Sequence, residues 1–241
     1  MSEKLTTRDE MMGYPTDEEV VRILGVSEEE ASEVRFLAIE AAEGELTTVW
    51  AQDFGAAKDL VDKVAKVLKT KGWLVVQADA REATDETGLA QSLLHSLSIA
   101  LEEQGFNLTN GLVETLGGIN SIVAAMHKIT RVRDQYDQGL LFVLHGVDWM
   151  LEAENNDFAD GSAALWAIRG VWQRAHGSAF LTGGPGALDV TCDKKEGFYC
   201  YGGLHEVGVD ELAGVKERIE ARKAAAKRDA ELAQDDTANE A

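Results

Sequence analysis

The feature that most constrains this chain is an unbroken apolar stretch, Leu140–Leu144, that runs directly into a polar cluster. A strand that is apolar on both faces needs cover on both sides, so this stretch predicts a central strand of a mostly parallel sheet between helices. Ligands of such sheets bind just beyond the carboxyl ends of the strands. His145, Gly146 and Asp148 therefore stand at the predicted working edge.

The rest of the chain alternates between strand and helix patterns. Apolar stretches at 46–50, 73–76 and 178–182 predict further strands, and the helix between the first two has one apolar face. A strand, a helix and a second strand in this order predict a βαβ unit with parallel strands. We predict an α/β domain over residues 45–212, a three-layer αβα fold, with an irregular segment or edge hairpin after Asp189.

Segments with other patterns flank this domain. Residues 1–44 contain two predicted helices joined by Gly-Val-Ser, with the capping-box pair Thr16 and Glu19 at the start of the first. The second helix begins with three glutamates, at the end that faces phosphates in a helix-turn-helix reading head. This repulsion favours a packing or partner module over DNA recognition. Residues 213–241 predict a charged helix that ends in a disordered tail.

Composition limits the partners and the compartment. The formal net charge is -20, from 23 Lys and Arg against 43 Asp and Glu, which argues against non-specific nucleic-acid binding. No apolar stretch approaches the roughly 20 residues that span a bilayer, and the N-terminus lacks the apolar core of a signal peptide. We expect a cytoplasmic protein with no membrane contact, and the cysteines Cys192 and Cys200 fit a reducing compartment.

The connection after the first predicted strand carries part of a phosphate-binding pattern. A P-loop reads G-x-x-x-x-G-K-[ST], in which backbone amides and the lysine contact phosphates and the hydroxyl binds magnesium. Here the sequence is Gln-Asp-Phe-Gly-Ala-Ala-Lys-Asp, with Gly55 and Lys58 at matching places. Gln52 replaces the first glycine, Ala57 the glycine before the lysine, and Asp59 the hydroxyl residue. The replacements restrict the backbone and put negative charge beside a triphosphate.

The order of the elements and their polar ends resembles the AAA+/STAND-like ATPases of bacteria, which are P-loop NTPases. In that class the second strand has a polar tip, the third ends in an acidic pair, and the next ends in a polar sensor. Gly55 and Lys58 match the phosphate loop, and Thr182 matches the sensor. His145 and Gly146 occupy the positions of the acidic pair. The resemblance implies a P-loop NTPase-like fold in which Walker A and Walker B are both degenerate.

Both replacements at the third strand oppose hydrolysis. Magnesium prefers oxygen ligands to the imidazole of His145, and Gly146 cannot orient water. Asp148 is a candidate substitute, although three residues of extended chain move it about 10 Å. We therefore expect a catalytically impaired protein that acts as a binding or regulatory module, with no cofactor.

Alternatives remain open at this level. One is a divergent ATPase that uses ATP and magnesium; its candidate residues are Gly55, Lys58 and Asp59 for binding, and Asp79, His145, Asp148 and Thr182 for catalysis. Another makes the acidic surface the functional element, as a nucleic-acid mimic or a partner of a basic protein. A protein partner is expected, and an oligomer is an open alternative.

Two further patterns bear on this question. Arg169 and Arg174 lie on the helix where oligomeric ATPases can present an arginine to a neighbour's phosphate, although such arginines are more often surface or ion-paired residues. The spacing of Cys192, Cys200 and His205 fits no compact zinc pattern, so no metal site is predicted.

Overall fold

A computed structural model describes residues 14–106, 117–135, 139–152, 158–175, 178–192 and 202–207. These ranges contain five strands and seven α-helices, together with a short 3-10 helix, Trp149–Leu151. In chain order the elements are α1 (Asp17–Leu24), α2 (Glu28–Ala42), β1 (Leu46–Trp50), α3 (Phe54–Thr70), β2 (Leu74–Asp79), α4 (Glu86–Glu103), α5 (Ile119–Gln135), β3 (Leu140–His145), α6 (Gly161–Ala175), β4 (Ser178–Gly183), α7 (Ala187–Cys192) and β5 (Gly203–Glu206).

The five strands form one sheet in the order β2-β3-β4-β1-β5, and every neighbouring pair is parallel. All six residues of β3 and all six of β4 are buried, as expected for central strands covered on both faces. The prediction of an α/β fold with a parallel sheet is confirmed.

Helices cover both faces of this sheet. On one face α1, α2 and α3 share a hydrophobic core with alternate strand residues such as Val75, Val143 and Phe180. On the other face α4, α5, α6 and α7 pack against the intervening residues, among them Val76 and Leu144. The two cores on opposite faces are consistent with three layers.

The N-terminal helices belong to the first of these layers. Thr16 caps α1 through the predicted capping box: its hydroxyl accepts the Glu19 N–H, and its own N–H donates to the Glu19 carboxylate, each at 3.2 Å. Gly25 ends α1 in the left-handed conformation, with φ of 72°. Val34 on α2 is fully buried in the same core as Val61 on α3, so α2 packs directly on the helix that follows β1.

Three elements differ from the sequence interpretation, and one of them is α7, Ala187–Cys192, which is helical where an irregular segment or edge hairpin was predicted after Asp189. The helix after β1 begins at Phe54, so the connection predicted to extend to Asp59 comprises only residues 51–53. Residues 203–206 form a parallel edge strand beside β1 instead of the predicted irregular segment or edge hairpin, because their pairing partner lies far back in the chain. The predicted C-terminal helix and most of residues 106–118 lie outside the described residues. No helix in the described ranges is long and apolar enough to cross a membrane.

Candidate functional site

The register of the sheet brings three polar strand ends side by side. Asp79 pairs with His145, and His145 pairs with Thr182. Register partners in a sheet point to the same face, and in this row that face is the one packed against α3. The three side chains therefore meet the first turns of α3, which carry Lys58 and Asp62.

Lys58 lies between two carboxylates. Its ammonium group is 3.5 Å from Asp79 Oδ2 and 3.7 Å from Asp62 Oδ2. The Asp79 side chain is only 10% exposed, and its second oxygen accepts the backbone N–H of Arg81 at 3.0 Å. The positive charge that a phosphate would need at this place is thus already neutralised by the protein's own anions.

His145 continues this network into the interior. Its Nδ1 is hydrogen bonded to Thr182 Oγ1 at 2.9 Å, and both residues are buried. Its Nε2 lies 3.3 Å from Asp62 Oδ1, within ion-pair distance but without the alignment of a hydrogen bond. A carboxylate oxygen facing Nε2 favours the tautomer that carries the proton there, and the Thr182 hydroxyl then donates to Nδ1.

The contacts with His145 and Lys58 change the pKa of Asp62. Burial raises the pKa of its carboxyl, but the contacts with His145 and Lys58 outweigh burial and hold the pKa below its ordinary value of 3.8. Asp62 is therefore the charged link between the lysine and the buried imidazole.

The order carboxylate, imidazole, hydroxyl is also that of an acyl-transfer triad. Thr182 is 0% exposed, however, so no substrate reaches its hydroxyl in this arrangement. The row of contacting side chains Asp62, His145 and Thr182 is better explained as a structural connection between α3 and the ends of β3 and β4.

The connection after β1 has no phosphate-binding loop geometry. Asp53 is the N-cap of α3, and its Oδ1 accepts the Gly55 N–H at 3.0 Å. Gly55 lies in the first helical turn and Lys58 in the second, so the conformational freedom of the glycine is not used for a turn around an anion. A carboxylate already occupies the helix N-terminus where an anion would bind.

Asp59 points away from this edge. Its carboxylate pairs with Lys63, which also contacts Glu30 on α2, and these side-chain hydrogen bonds raise the pKa of Lys63. The predicted binding residues Lys58 and Asp59 thus have different partners, one at the strand ends and one between α2 and α3.

Asp148 folds back onto the loop after β4. Gly146, with φ of 68°, turns the chain, so Asp148 is not carried outward along an extended path. Its Oδ2 accepts the Gly184 N–H at 2.9 Å, and a Cβ at Gly183 would lie 2.8 Å from its Oδ1. The glycines of this loop therefore make room for the carboxylate. Asp148 Oδ1 is buried and has no hydrogen-bond partner among the residues that the structure describes.

Comparison with known proteins does not assign this chain to a family. No family model matches the chain, and no curated protein matches it.

The remaining candidates lie elsewhere. His205 is on β5, with Nε2 at 2.8 Å from Glu33 Oε1, whereas Cys200 and the side chains of Cys192 and Arg174 lie outside the described residues. The guanidinium of Arg169 lies 5.2 Å from the centre of the Trp166 ring. In the part of the chain that the structure describes, no three His, Cys, Asp or Glu side chains are grouped to hold a metal.

Three residues of the site were missed from the sequence. Asp62 is four residues after Lys58, the spacing of a helical ion pair, and this signal was available. Asp53 precedes a helix and is a favoured N-cap type. Arg81 had no signal: its guanidinium lies 4.2 Å from the centre of the Phe54 ring and 5.6 Å from that of Trp149, which are distant in sequence.

Proposed function

We propose that this protein is a non-catalytic, P-loop NTPase-like module whose nucleotide site is occupied by its own side chains, and that it acts by binding a protein partner. The observation that carries the proposal is the position of Lys58 between Asp62 and Asp79. A lysine that binds a phosphate must be available to it. Here two carboxylates already pair with the Lys58 ammonium group, in the place that a phosphate would take.

The start of α3 supports the same conclusion. A triphosphate is normally held by several backbone amides that glycines allow to converge on it. Here the chain enters the helix at once after Asp53, and the Asp53 carboxylate accepts the Gly55 amide. A bound nucleotide would have to displace the Asp53 carboxylate from the Gly55 amide. Its phosphates would also be repelled by the negative charge of that carboxylate.

The ends of β3 and β4 support the absence of magnesium chemistry. His145 is engaged by Thr182 and faces Asp62, while Asp148 accepts a hydrogen bond from the β4 loop. His145 offers nitrogen, which magnesium disfavours, and one Asp148 oxygen already accepts the Gly184 N–H.

The sheet order supports descent from the resembled class. β4 lies between β1 and β3, so its polar end stands between the connection after β1 and the end of β3. From this position one side chain can contact groups both at the start of α3, where the phosphate loop would be, and at the end of β3, where the acidic pair would be. Thr182 retains that place and uses its hydroxyl to bind His145.

The test is nucleotide binding and turnover with the purified full chain. Because a ligand that binds the folded state must stabilise it, we expect millimolar ATP with magnesium to leave the melting temperature unchanged. We also expect no phosphate release above that of a buffer blank. Magnesium-dependent turnover that disappears in Lys58→Met but persists in Lys66→Met would support the divergent ATPase instead. Lys66 is an exposed lysine on the same helix and serves as the matched control.

A further inference from the structure

A guanidinium group already occupies an aromatic slot at the carboxyl edge of the sheet. The slot is formed by the rings of Phe54 and Trp149, at 4.2 Å and 5.6 Å from Arg81 Cζ. Phe54 is the first residue of α3, Arg81 follows β2, and Trp149 begins the 3-10 helix after β3. Phe54 and Trp149 are both half-buried, so each ring keeps some surface accessible from outside.

Arg81 is held loosely in this slot. It is exposed, and its guanidinium makes no ion pair with any residue in the described ranges. Its backbone N–H donates to Asp79 Oδ1, and its Cγ lies 2.7 Å from the position that a Cβ of Gly146 would take. An exposed cation–π contact is weak, so the side chain can leave the slot while the backbone stays in place.

The charge around the slot favours an incoming cation. Five carboxylates and two cations line the edge: Asp53, Asp62, Asp79, Glu82 and Asp148, against Lys58 and Arg81. Lys58 is partly exposed and already paired with Asp62 and Asp79, whereas Asp53 and Glu82 are exposed and adjoin Phe54 and Arg81 in the sequence. The whole chain has a formal charge of -20, so the long-range field acts in the same direction.

We propose that this edge is the docking surface for an arginine-bearing basic segment of a partner protein, and that Arg81 holds the partner's place in the isolated chain. On docking, a partner guanidinium takes the slot between Phe54 and Trp149 and pairs with Asp53 and Glu82, while Arg81 swings out to solvent. The planar guanidinium fits aromatic faces and carboxylates better than the compact ammonium of lysine, so arginine is preferred. The same field repels nucleic acid.

This inference rests on the proposed function, because a nucleotide bound at the same edge would exclude a basic segment. The two fail separately. ATP turnover would overturn the proposed function, whereas the docking experiment contains no nucleotide. A chain that neither hydrolyses ATP nor binds the arginine probe would overturn only the docking proposal.

The probe is an oligo-arginine peptide, with oligo-lysine of the same length as its chemical control, measured by calorimetry at low and physiological ionic strength. We expect oligo-arginine to bind more tightly than oligo-lysine to the full chain. In Arg81→Ala the internal competitor is gone, and we expect binding about two- to fivefold tighter, the range that an exposed cation–π contact can supply.

Matched variants locate the surface. Glu82→Gln should weaken oligo-arginine binding, whereas Glu45→Gln should not. Glu45 is also exposed, but it precedes β1 and therefore lies at the amino ends of the parallel strands, away from the slot. Phe54→Leu keeps an apolar side chain at the helix start, and it should abolish the preference for arginine over lysine. Equal weakening by Glu82→Gln and Glu45→Gln would mean that net charge alone attracts the peptide, and would overturn the proposal. Weaker binding in Arg81→Ala, or no binding to the unaltered chain, would also overturn it.

Discussion

Lys58, in the second turn of α3, lies between the Asp79 carboxylate at the end of β2 and the Asp62 carboxylate one turn further along the helix. Asp79 is nearly buried, so removing its cation leaves a carboxylate that water solvates poorly. We expect Lys58→Met to lower the free energy of unfolding by about 1–2 kcal/mol, since both ion pairs are partly exposed to solvent. Chemical denaturation measures this change.

The matched variant for that experiment is Lys66→Met on the same helix. Lys66 is exposed, and surface substitutions of this kind usually change stability by no more than about 0.5 kcal/mol. Equal losses in both variants would show that the neighbours of Lys58 do not depend on its charge.

Asp62 makes the acid stability of the protein testable. Its pKa is lower in the folded chain than the ordinary 3.8, so it contributes stability above that pH, and the contribution is lost as the pH falls through the folded value. Unfolding free energies measured between neutral pH and pH about 3 should therefore fall less steeply in Asp62→Asn than in the unaltered chain. Identical slopes would mean that the contacts with His145 and Lys58 do not lower the pKa of Asp62.

At this scale the sequence locates residues but not their partners. Asp79, His145 and Thr182 follow apolar stretches, so their places at strand ends are predictable. Their contacts are not, because they depend on the parallel register and on which helix covers which face. Arg81 meets Phe54 and Trp149 only because the segments that follow β1, β2 and β3 converge at the carboxyl ends of the strands.

The start of α6 depends on a glycine at close contact. A Cβ at Gly161 would lie 1.7 Å from the carbonyl oxygen of Met150, which is backbone and cannot rotate away. We expect Gly161→Ala to shift α6 against the 3-10 helix and to cost about 3 kcal/mol or more in unfolding free energy. Thermal and chemical denaturation both detect a loss of this size.

Gly170 provides the control on the same helix. A Cβ there meets no described atom within 4 Å, and the position is inside the helix. Gly170→Ala should therefore raise the stability by about 0.5–1 kcal/mol, through the better helix propensity of alanine. A destabilising Gly170→Ala would indicate that α6 is intolerant of change in general, and that the contact at Gly161 is not specific.

Element boundaries were predictable where one strong pattern acts. The apolar stretch of β3 and the capping box of α1 identify their elements directly. The start of α3 was missed because the P-loop comparison extended the connection through residues that are helical, although Asp53 is a good N-cap. β5 has only four residues, one of them buried, so it has too little local pattern to identify it as a parallel strand.

The net negative charge of the whole molecule destabilises the folded state, and it also attracts positively charged partners. Charges of one sign repel one another more in the compact chain than in the unfolded one, and the formal charge is -20 over 241 residues. The described cations are largely engaged in local ion pairs, such as Lys58, Lys63 and Lys71, which salt also screens. The excess of unpaired carboxylates outweighs these few pairs at distances near the Debye length of about 10 Å at 0.1 M salt.

We therefore expect the protein to become more stable as potassium chloride is raised from low to moderate concentration. The gain should be of order 1 kcal/mol, or roughly 2–4 °C in the melting temperature of a chain of this size. Glu43 and Glu45 are exposed near the C-terminal end of α2, where negative charge is also unfavourable to the helix dipole. The double variant Glu43→Gln, Glu45→Gln should be more stable at low salt and respond less to added salt. Stability that falls with salt in the unaltered chain would mean that the local ion pairs outweigh the net repulsion.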